Sequence, residues 1–493
     1  MKAIKKMICL CLALLLLGTI PALCASAAQT PAAPQKLKGV CMDGALALVW
    51  SRVRGADGYV LLKQAADGSW VYKNKGTPAA TSFVDKKVKN GGTYSYRVCA
   101  VKNGKQSTAT PLQITYLATP QIKSFANREN GIALRWKNYT TAKQYLLYRK
   151  TSGGQWSSLA ILPRGTTTYL DKNVQPGVKY IYTLRQTSGG VSSAYYAAGF
   201  RHVFVSQVTG VSVKNSPAGV LLRWRGVKEA KQYEILRKVP GGKWALIKTV
   251  GANAAQFTDA NAPFGKQCSY LVRAIRPNNR GANSTAAQLY AVNPKKPMVA
   301  VTYDDGPYRP RTNQILDVLQ KYNARATFFV VGNRLTTYSD CLQREAALGC
   351  EIGCHTYNHT TLSSASNETI QSEISRTNAL VKQYSGQTVR LVRAPGGAIN
   401  SRVQSVVGYP LIQWSVDTRD WENRSVSKTT ANVKSHVRDG SIILMHDIHA
   451  STASAAEGIV SWLTAQGYQL VTVSEMMDAK GITMQNGGIY YHG

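Results

Sequence analysis

Four aromatic positions recur three times, in register, along the front of this 493-residue chain. Trp50, Trp136 and Trp224 stand 86 and 88 residues apart. Tyr59, Tyr145 and Tyr233 keep the same two intervals, as do Trp70, Trp156 and Trp244, and Tyr96, Tyr182 and Tyr270. A chain that repeats its largest side chains in this way must bury them in copies of one unit. Inside each copy, short alternating runs such as Gly219–Trp224 and Gln232–Leu236 read as strands, and Asp67-Gly68 and Asn130-Gly131 are hairpin signals. Strands at that spacing predict a small β-sandwich per unit. The units span residues 34–117, 119–204 and 205–293. The landmark aromatics are expected in the cores, with carbohydrate stacking by one or two exposed ones as the minor alternative.

Unit size, landmarks and strand pattern together resemble fibronectin type III repeats, which implies an immunoglobulin-like sandwich for each. The segment Asn293–Pro297 (NPKKP) then reads as a linker, and the pattern changes. Strand-like runs at Met298–Tyr303, Ala326–Gly332, Cys350–His355, Thr388–Arg393, Leu411–Val416, Ser441–Met445 and Tyr468–Val473 alternate with helical ones, among them Thr312–Tyr322, Asp340–Leu348, Asn367–Tyr384, Val426–Arg438 and Ala455–Gln466. Such alternation predicts a parallel α/β architecture, and seven strands suit a (β/α) barrel with its chemistry at the C-terminal strand ends. The last residues, Gln485–Gly493, read as a polar tail.

Residues 1–28 read as a secretory signal. Lys2, Lys5 and Lys6 precede an apolar run from Met7 to Leu17, and small residues Ala25–Ala28 follow. That run is short for a span of about 20 residues, so the mature chain is expected to be secreted without a transmembrane span. Six of nine cysteines lie beyond it, too few for a disulfide scaffold. Cys41 and Cys99, in the first repeat, are a candidate pair, whereas Cys350 and Cys354 share a strand face and are expected to pack. Charge is uneven. Residues 31–295 carry 39 Lys+Arg against nine Asp+Glu, a net of +30, and residues 296–493 carry 18 against 16, a net of +2. A field of that sign attracts polyanions. For an exported chain these are anionic wall polymers or membrane surfaces rather than nucleic acid.

Ionisable residues gather at the predicted strand ends: Asp304-Asp305-Gly306-Pro307, His355 to His359, Arg393 to Gly397, Asp417 to Trp421 and Leu444 to Asp447. One carboxylate and two imidazoles, Asp305 with His355 and His359, form a ligand set for Zn²⁺ or another divalent ion. Asp304, whose neighbour points the other way along a strand, is free to act as a general base. Arg393 is a candidate partner that keeps Asp304 ionised. His446 is a candidate acid, oriented by Asp420 or Asp417.

These five segments, in this order, resemble the five motifs of the NodB-homology polysaccharide deacetylases, carbohydrate esterase family 4, over residues 296–480. The resemblance implies a deformed (β/α) barrel and hydrolysis of an acetyl group from a sugar. It implies Asp304 as base, His446 as acid, Arg393 and Asp420 as their positioning partners, and Asp305, His355 and His359 as ligands of a divalent metal, Zn²⁺ first, with Co²⁺, Ni²⁺ or Mn²⁺ as alternatives. Trp421 and Leu444 would line the substrate site, and the backbone N–H of Tyr308 or a neighbour is expected to face the developing oxyanion. Tyr303 and Gly396 stand where the family commonly has Phe and Tyr, and Gly396 widens one wall of the groove. The leading expectation is removal of N-acetyl groups from N-acetylglucosamine in peptidoglycan. Deacetylation of chitin oligomers or acetyl-xylan is the second, and a non-catalytic surface adhesin the third.

Overall fold

The computed structural model describes residues 30–75 and 80–493. The predicted signal segment lies outside them. Each repeat forms two antiparallel sheets, one of three strands and one of five. In the third repeat the small sheet holds Ser212–Ser216, Gly219–Arg223 and Gln256–Asp259. The large one runs Ala245–Gly251, Gln232–Lys238, Gln267–Arg276 and Asn279–Arg280, with Ala287–Tyr290 also on Gln267–Arg276. The first two repeats show the same three-plus-five order.

Three of the four aromatic landmarks build the cores. Each early Trp packs against the next Tyr, with ring centroids 5.6 Å apart for Trp50–Tyr59, 5.9 Å for Trp136–Tyr145 and 5.6 Å for Trp224–Tyr233. Each late Tyr is fully buried and donates its hydroxyl to a buried Asp: Tyr96 to Asp85 at 2.7 Å, Tyr182 to Asp171 at 2.8 Å, Tyr270 to Asp259 at 2.9 Å. A cation 22 residues before the Asp closes the trio: Lys63, Arg149 and Arg237, at 2.6, 2.7 and 2.6 Å. A buried carboxylate needs such partners, because its desolvation is otherwise uncompensated. Asp171→Ala would take the carboxylate from both Arg149 and Tyr182 and is expected to cost about 3 kcal/mol. Hydrogen exchange in the strands Gln144–Thr151 and Lys179–Ser188 should then lose roughly a hundredfold in protection. The fourth landmark departs from expectation: Trp70 and Trp156 are half-buried and Trp244 is exposed, because each stands at or just before an edge strand of the five-stranded sheet. Cys41 and Cys99 are buried free thiols rather than a disulfide.

The third repeat and the C-terminal region belong to one compact unit. The C-terminal region is built on a parallel sheet in the order Glu351–Cys354, Thr327–Val330, Met298–Asp304, Ile442–His446, Val416–Asp417, with Gln469–Leu470 also pairing with the central strand Met298–Asp304. That strand is buried at all seven positions, as expected when both faces of a parallel sheet are covered. Its alternation sorts its side chains. Val299, Val301 and Tyr303 join the core shared with the helices Arg309–Lys321 and Ala450–Ala465, and Met298 and Ala300 join a second core with Phe329, Leu391, Ile412 and Ile442. Thr302 and Asp304 share the face of Ala300.

Predicted and observed elements differ in four places. Thr388–Arg393 is not a strand; it touches its neighbours only through single bridges of Val392 to Cys354 and Leu411. Leu411–Val416 splits into Leu411–Ile412 and Val416–Asp417, because the carbonyls of Ile412 and Gln413 turn toward the Arg393 guanidinium at 3.0 and 3.1 Å. Tyr468–Val473 shortens to Gln469–Leu470, and a helix follows at Val473–Ala479 behind a capping box of Thr472 and Glu475. The supposed tail is ordered into the domain: Ile489–Tyr490 pairs in parallel with Leu411–Ile412, and the Gly493 N–H donates to Gly440 at 2.8 Å. Cys350 and Cys354 pack together in the core as expected.

Candidate active site

Parallel register sets the two halves of the site side by side. Asp304 and His446 are direct partners at the C-terminal ends of adjacent strands. Leu444 lies two residues before His446 and so on the same face; it is buried, with Thr302 as its register partner.

Asp304 is buried and accepts a hydrogen bond from the Arg393 Nη1 at 2.7 Å. Arg393 has no exposed surface, and its guanidinium is held at every turn: Nη1 also donates to Thr302 Oγ1 at 2.7 Å, and the planar group lies 4.2 Å from the centroid of Phe329. So complete a set of partners lets a charge remain buried.

On the other side, His446 Nδ1 meets Asp420 Oδ1 at 2.8 Å. Asp420 is fully buried and also accepts the His446 N–H at 2.8 Å, the Trp421 N–H at 2.9 Å and the Thr452 hydroxyl at 2.5 Å. Of the two aspartates open as partners of His446, Asp420 is the one in contact; Asp417 is exposed and accepts the Arg419 N–H instead. Burial opposes the charged imidazole, but the Asp420 hydrogen bond and the charges of Asp304, Asp420 and Asp305 outweigh it and raise the His446 pKa to about 9. Nδ1 is engaged by Asp420, so the transferable proton sits on Nε2.

Asp305, His355 and His359 converge. His359 Nε2 is 3.1 Å and His355 Nε2 3.4 Å from Asp305 Oδ1. One donor atom from each lies within 4.8 Å of the others. His355 Nδ1 is 2.8 Å from the Arg393 carbonyl, which only accepts, so the proton sits on Nδ1 and Nε2 presents its lone pair. Asp305 Oδ1 is buried and has no hydrogen-bond donor among the described residues. An oxygen in that position facing two imidazole nitrogens fits a divalent cation. Burial would raise the Asp305 pKa, but the two imidazoles reverse this and hold it well below the usual carboxylate range. Backbone conformation agrees with a built site. Asp305, Thr356 and His359 all have positive φ, in the left-handed region that non-glycine residues keep only where the surroundings impose it.

The substrate-side expectations fare less evenly. Trp421 is 48 % exposed on the short helix Asp420–Asn423, placed to meet solvent or a ligand. The Tyr308 N–H, expected to face an oxyanion, instead donates to Thr312 Oγ1 at 2.8 Å, because Tyr308 is the residue at which the helix Arg309–Lys321 begins.

The polysaccharide deacetylase family model matches residues 291–409, which include Asp304, Asp305, His355, His359 and Arg393. The peptidoglycan-N-acetylmuramic acid deacetylase PdaC of Bacillus subtilis is 40% identical over 189 residues, 38% of this chain and 40% of that protein. A peptidoglycan-N-acetylglucosamine deacetylase of Bacillus cereus is 36% identical over 191 residues, covering 37% of this chain and 89% of the relative. The chain belongs to the polysaccharide deacetylase family. A solved structure of the Bacillus subtilis peptidoglycan deacetylase PdaC, 40% identical, covers 38% of this chain and 93% of that one, with a TM-score of 0.37. The chain spans about two fifths of the length of the first of these relatives.

The deacetylase region also holds buried polar groups to which the sequence alone assigned no role. Asp447, beside His446, is fully buried and accepts from Thr312 Oγ1 at 2.5 Å. Burial pushes its carboxyl up to a pKa of about 7. A Cβ on Gly306 would overlap this carboxyl, so glycine is required there. The chain Asp447–Thr312–Tyr308 thereby fastens the loop that carries Asp305. The run His446-Asp447 offered only adjacency as a clue, and the contact with Thr312 spans 135 residues.

Proposed function

We propose that this protein hydrolyses N-acetyl groups on cell-wall glycan, with peptidoglycan as the substrate. The observation that carries the reading is the convergence of Asp305, His355 and His359 beside an Asp304–Arg393 pair and a His446–Asp420 pair. A divalent ion held by the first three supplies Lewis acidity toward the acetyl carbonyl and toward water.

The protein's own groups do the rest. Asp304, pinned by Arg393, takes a proton from the attacking water. The water oxygen bonds to the carbonyl carbon and the C–N bond breaks. His446 gives its Nε2 proton to the departing amine, and Asp420 stabilises the imidazolium until then. Acetic acid, which ionises to acetate in solvent, and a glucosamine-type amine leave, and the proton on Asp304 passes through solvent to His446, restoring both groups. Leu444 and Trp421 bound the acetyl and sugar ends. The parallel sheet is read as a deformed barrel with this site at its mouth. Residues 1–28 serve export, and the repeats, immunoglobulin-like and similar to fibronectin type III, carry the enzyme on an anionic wall.

Two relatives are named for different sugars, so the test must separate them. Acetate release is measured side by side on purified peptidoglycan, chitin oligomers and acetyl-xylan, and mass spectrometry of digested peptidoglycan locates the free amine on glucosamine or muramic acid. Release from acetyl-xylan alone would overturn the proposal. The acid requires protonated His446, so kcat/KM should fall about tenfold per pH unit above the pKa of that group. That limb lies at about pH 9 or, with a cation beside Asp305 offsetting the negative field, below it. Asp420→Asn removes a negative charge that raises the pKa and should move the limb further toward acid; an unmoved limb would remove His446 as the acid.

A further inference from the structure

The second repeat carries a pocket on its five-stranded sheet. We propose that it binds a carboxylate-bearing sugar ring of an anionic wall glycan, separately from the catalytic site.

On the five-stranded sheet, Tyr145 and Leu147 point into the core, so Tyr148 and Lys150 point outward. Tyr148 is paired directly with Thr183, and Leu146 with Arg185. The position of the Tyr148–Thr183 pair holds Leu62 and Arg97 in the first repeat and Leu236 and Leu271 in the third. In the first repeat the Arg97 guanidinium lies 4.1 Å from the centroid of Trp70 and covers it. In the third, Leu271 fills the position and is buried. Thr183 is too short to do either, and a cavity of about 200 Å³ opens, lined by Tyr148, Trp156, Thr183, Arg185 and Tyr195.

The walls suit a sugar. Trp156 and Tyr195 stand at 71° with centroids 6.3 Å apart, giving two aromatic faces set almost at right angles. Tyr195 is 40% exposed. The loop that brings it in closes through Gly199, whose φ is positive; a Cβ there would come within 2.8 Å of the Trp156 ring. Aromatic faces take the C–H face of a pyranose, and the rim supplies cations. Lys150 Nζ is 4.8 Å from the Trp156 centroid, and the Arg185 guanidinium 5.4 Å from that of Tyr195. A guanidinium beside an aromatic wall recognises a carboxylate on the same ring. The net charge of +30 over residues 31–295 favours an anionic over a neutral glycan. The choice of a wall glycan rests on the substrate reading above; the chemistry of the pocket does not.

The test titrates the full exported chain against peptide-free peptidoglycan glycan strands that keep the lactyl carboxylate of muramic acid, and against the same strands with that carboxylate amidated. Trp156→Ala should bind the strands about tenfold more weakly. Tyr195→Ala should weaken binding in the same direction, and Arg185→Gln should remove the preference for the free carboxylate. Trp70→Ala and Trp244→Ala should bind as the wild type does. Acetate release from a short soluble substrate should be the same in all five variants. Wild-type binding by Tyr195→Ala and Arg185→Gln overturns the proposal even if Trp156→Ala fails to fold. So does tight binding of poly(glycerol phosphate) without binding of the strands. If the strands engage the pocket but lose no acetate, the substrate reading fails and the pocket stands.

Discussion

Asp304→Asn is expected to lower acetate release by roughly a hundred- to ten-thousandfold, the contribution of a positioned general base. Asparagine keeps the shape and an oxygen for Arg393, but it cannot take a proton from water. It also changes stability. Arg393 has no exposed surface, and Asp304 is the carboxylate on its guanidinium. Removing that charge leaves a buried cation facing an amide, at a cost of about 3 kcal/mol or more. Lost turnover and lost stability would then be confounded, and a second variant separates them. Arg393→Met together with Asp304→Asn removes both charges but leaves the Ile412 and Gln413 carbonyls and Thr302 Oγ1 without their donor, so it should recover only part of the stability. Activity should stay lost. A folded Asp304→Asn protein with wild-type kcat would show that the base has been misassigned.

The sequence made the chemistry more legible than the scaffolding around it. Asp304, Asp305, His355, Arg393 and His446 each stand at the end of a short apolar run, with His359 four residues beyond His355, and the structure brings all six together. Strand ends are local signals, so a reader needs only the period and the polar residue that breaks it. What stayed hidden was set by contacts between distant segments. Arg393 pulls the carbonyls of Ile412 and Gln413 out of the ladder, and so divides a run that alternates like one strand. The short strand Ile489–Tyr490 has no period to read; its partner, Leu411–Ile412, lies far earlier in the chain. The acceptor of the Tyr308 N–H was hidden for a similar reason, because that acceptor, Thr312, is fixed by Asp447 on a different segment. In the repeats, the aromatic spacing revealed the units, but the cation, Asp and Tyr that close each core were legible only as a further set of intervals. The fourth aromatic landmark recurred as faithfully as the rest and is not core. Repetition reports a shared position in the unit, and burial depends on whether that position faces the opposite sheet.

Stripping divalent metal with a chelator is expected to reduce acetate release at least a hundredfold, and restoring Zn²⁺, Co²⁺, Ni²⁺ or Mn²⁺ one at a time should identify the ions that serve. The reduction follows from the several kcal/mol that a Lewis acid contributes to carbonyl hydrolysis. Binding has its own readout. One ion per chain should appear by mass spectrometry of the native protein, and Asp305→Ala should abolish it. Metal at about a hundred times its Kd should stabilise the domain by about 2.7 kcal/mol, visible as a rise in Tm. Acid should oppose this in a definite direction. The Asp305 carboxylate beside it is the main reason the His359 pKa lies above its ordinary value, outweighing partial burial. A protonated imidazole has no lone pair for a cation, so apparent affinity should fall about tenfold for each pH unit below that raised pKa. Alkaline solution above it should leave affinity flat. Asp305→Ala removes the partner that holds the His359 proton, so the imidazole should titrate nearer its ordinary range, which nuclear magnetic resonance of the metal-free protein would show. A metal-free protein with full activity, or one whose His359 titrates independently of Asp305, would mean that these three side chains do not form a metal site.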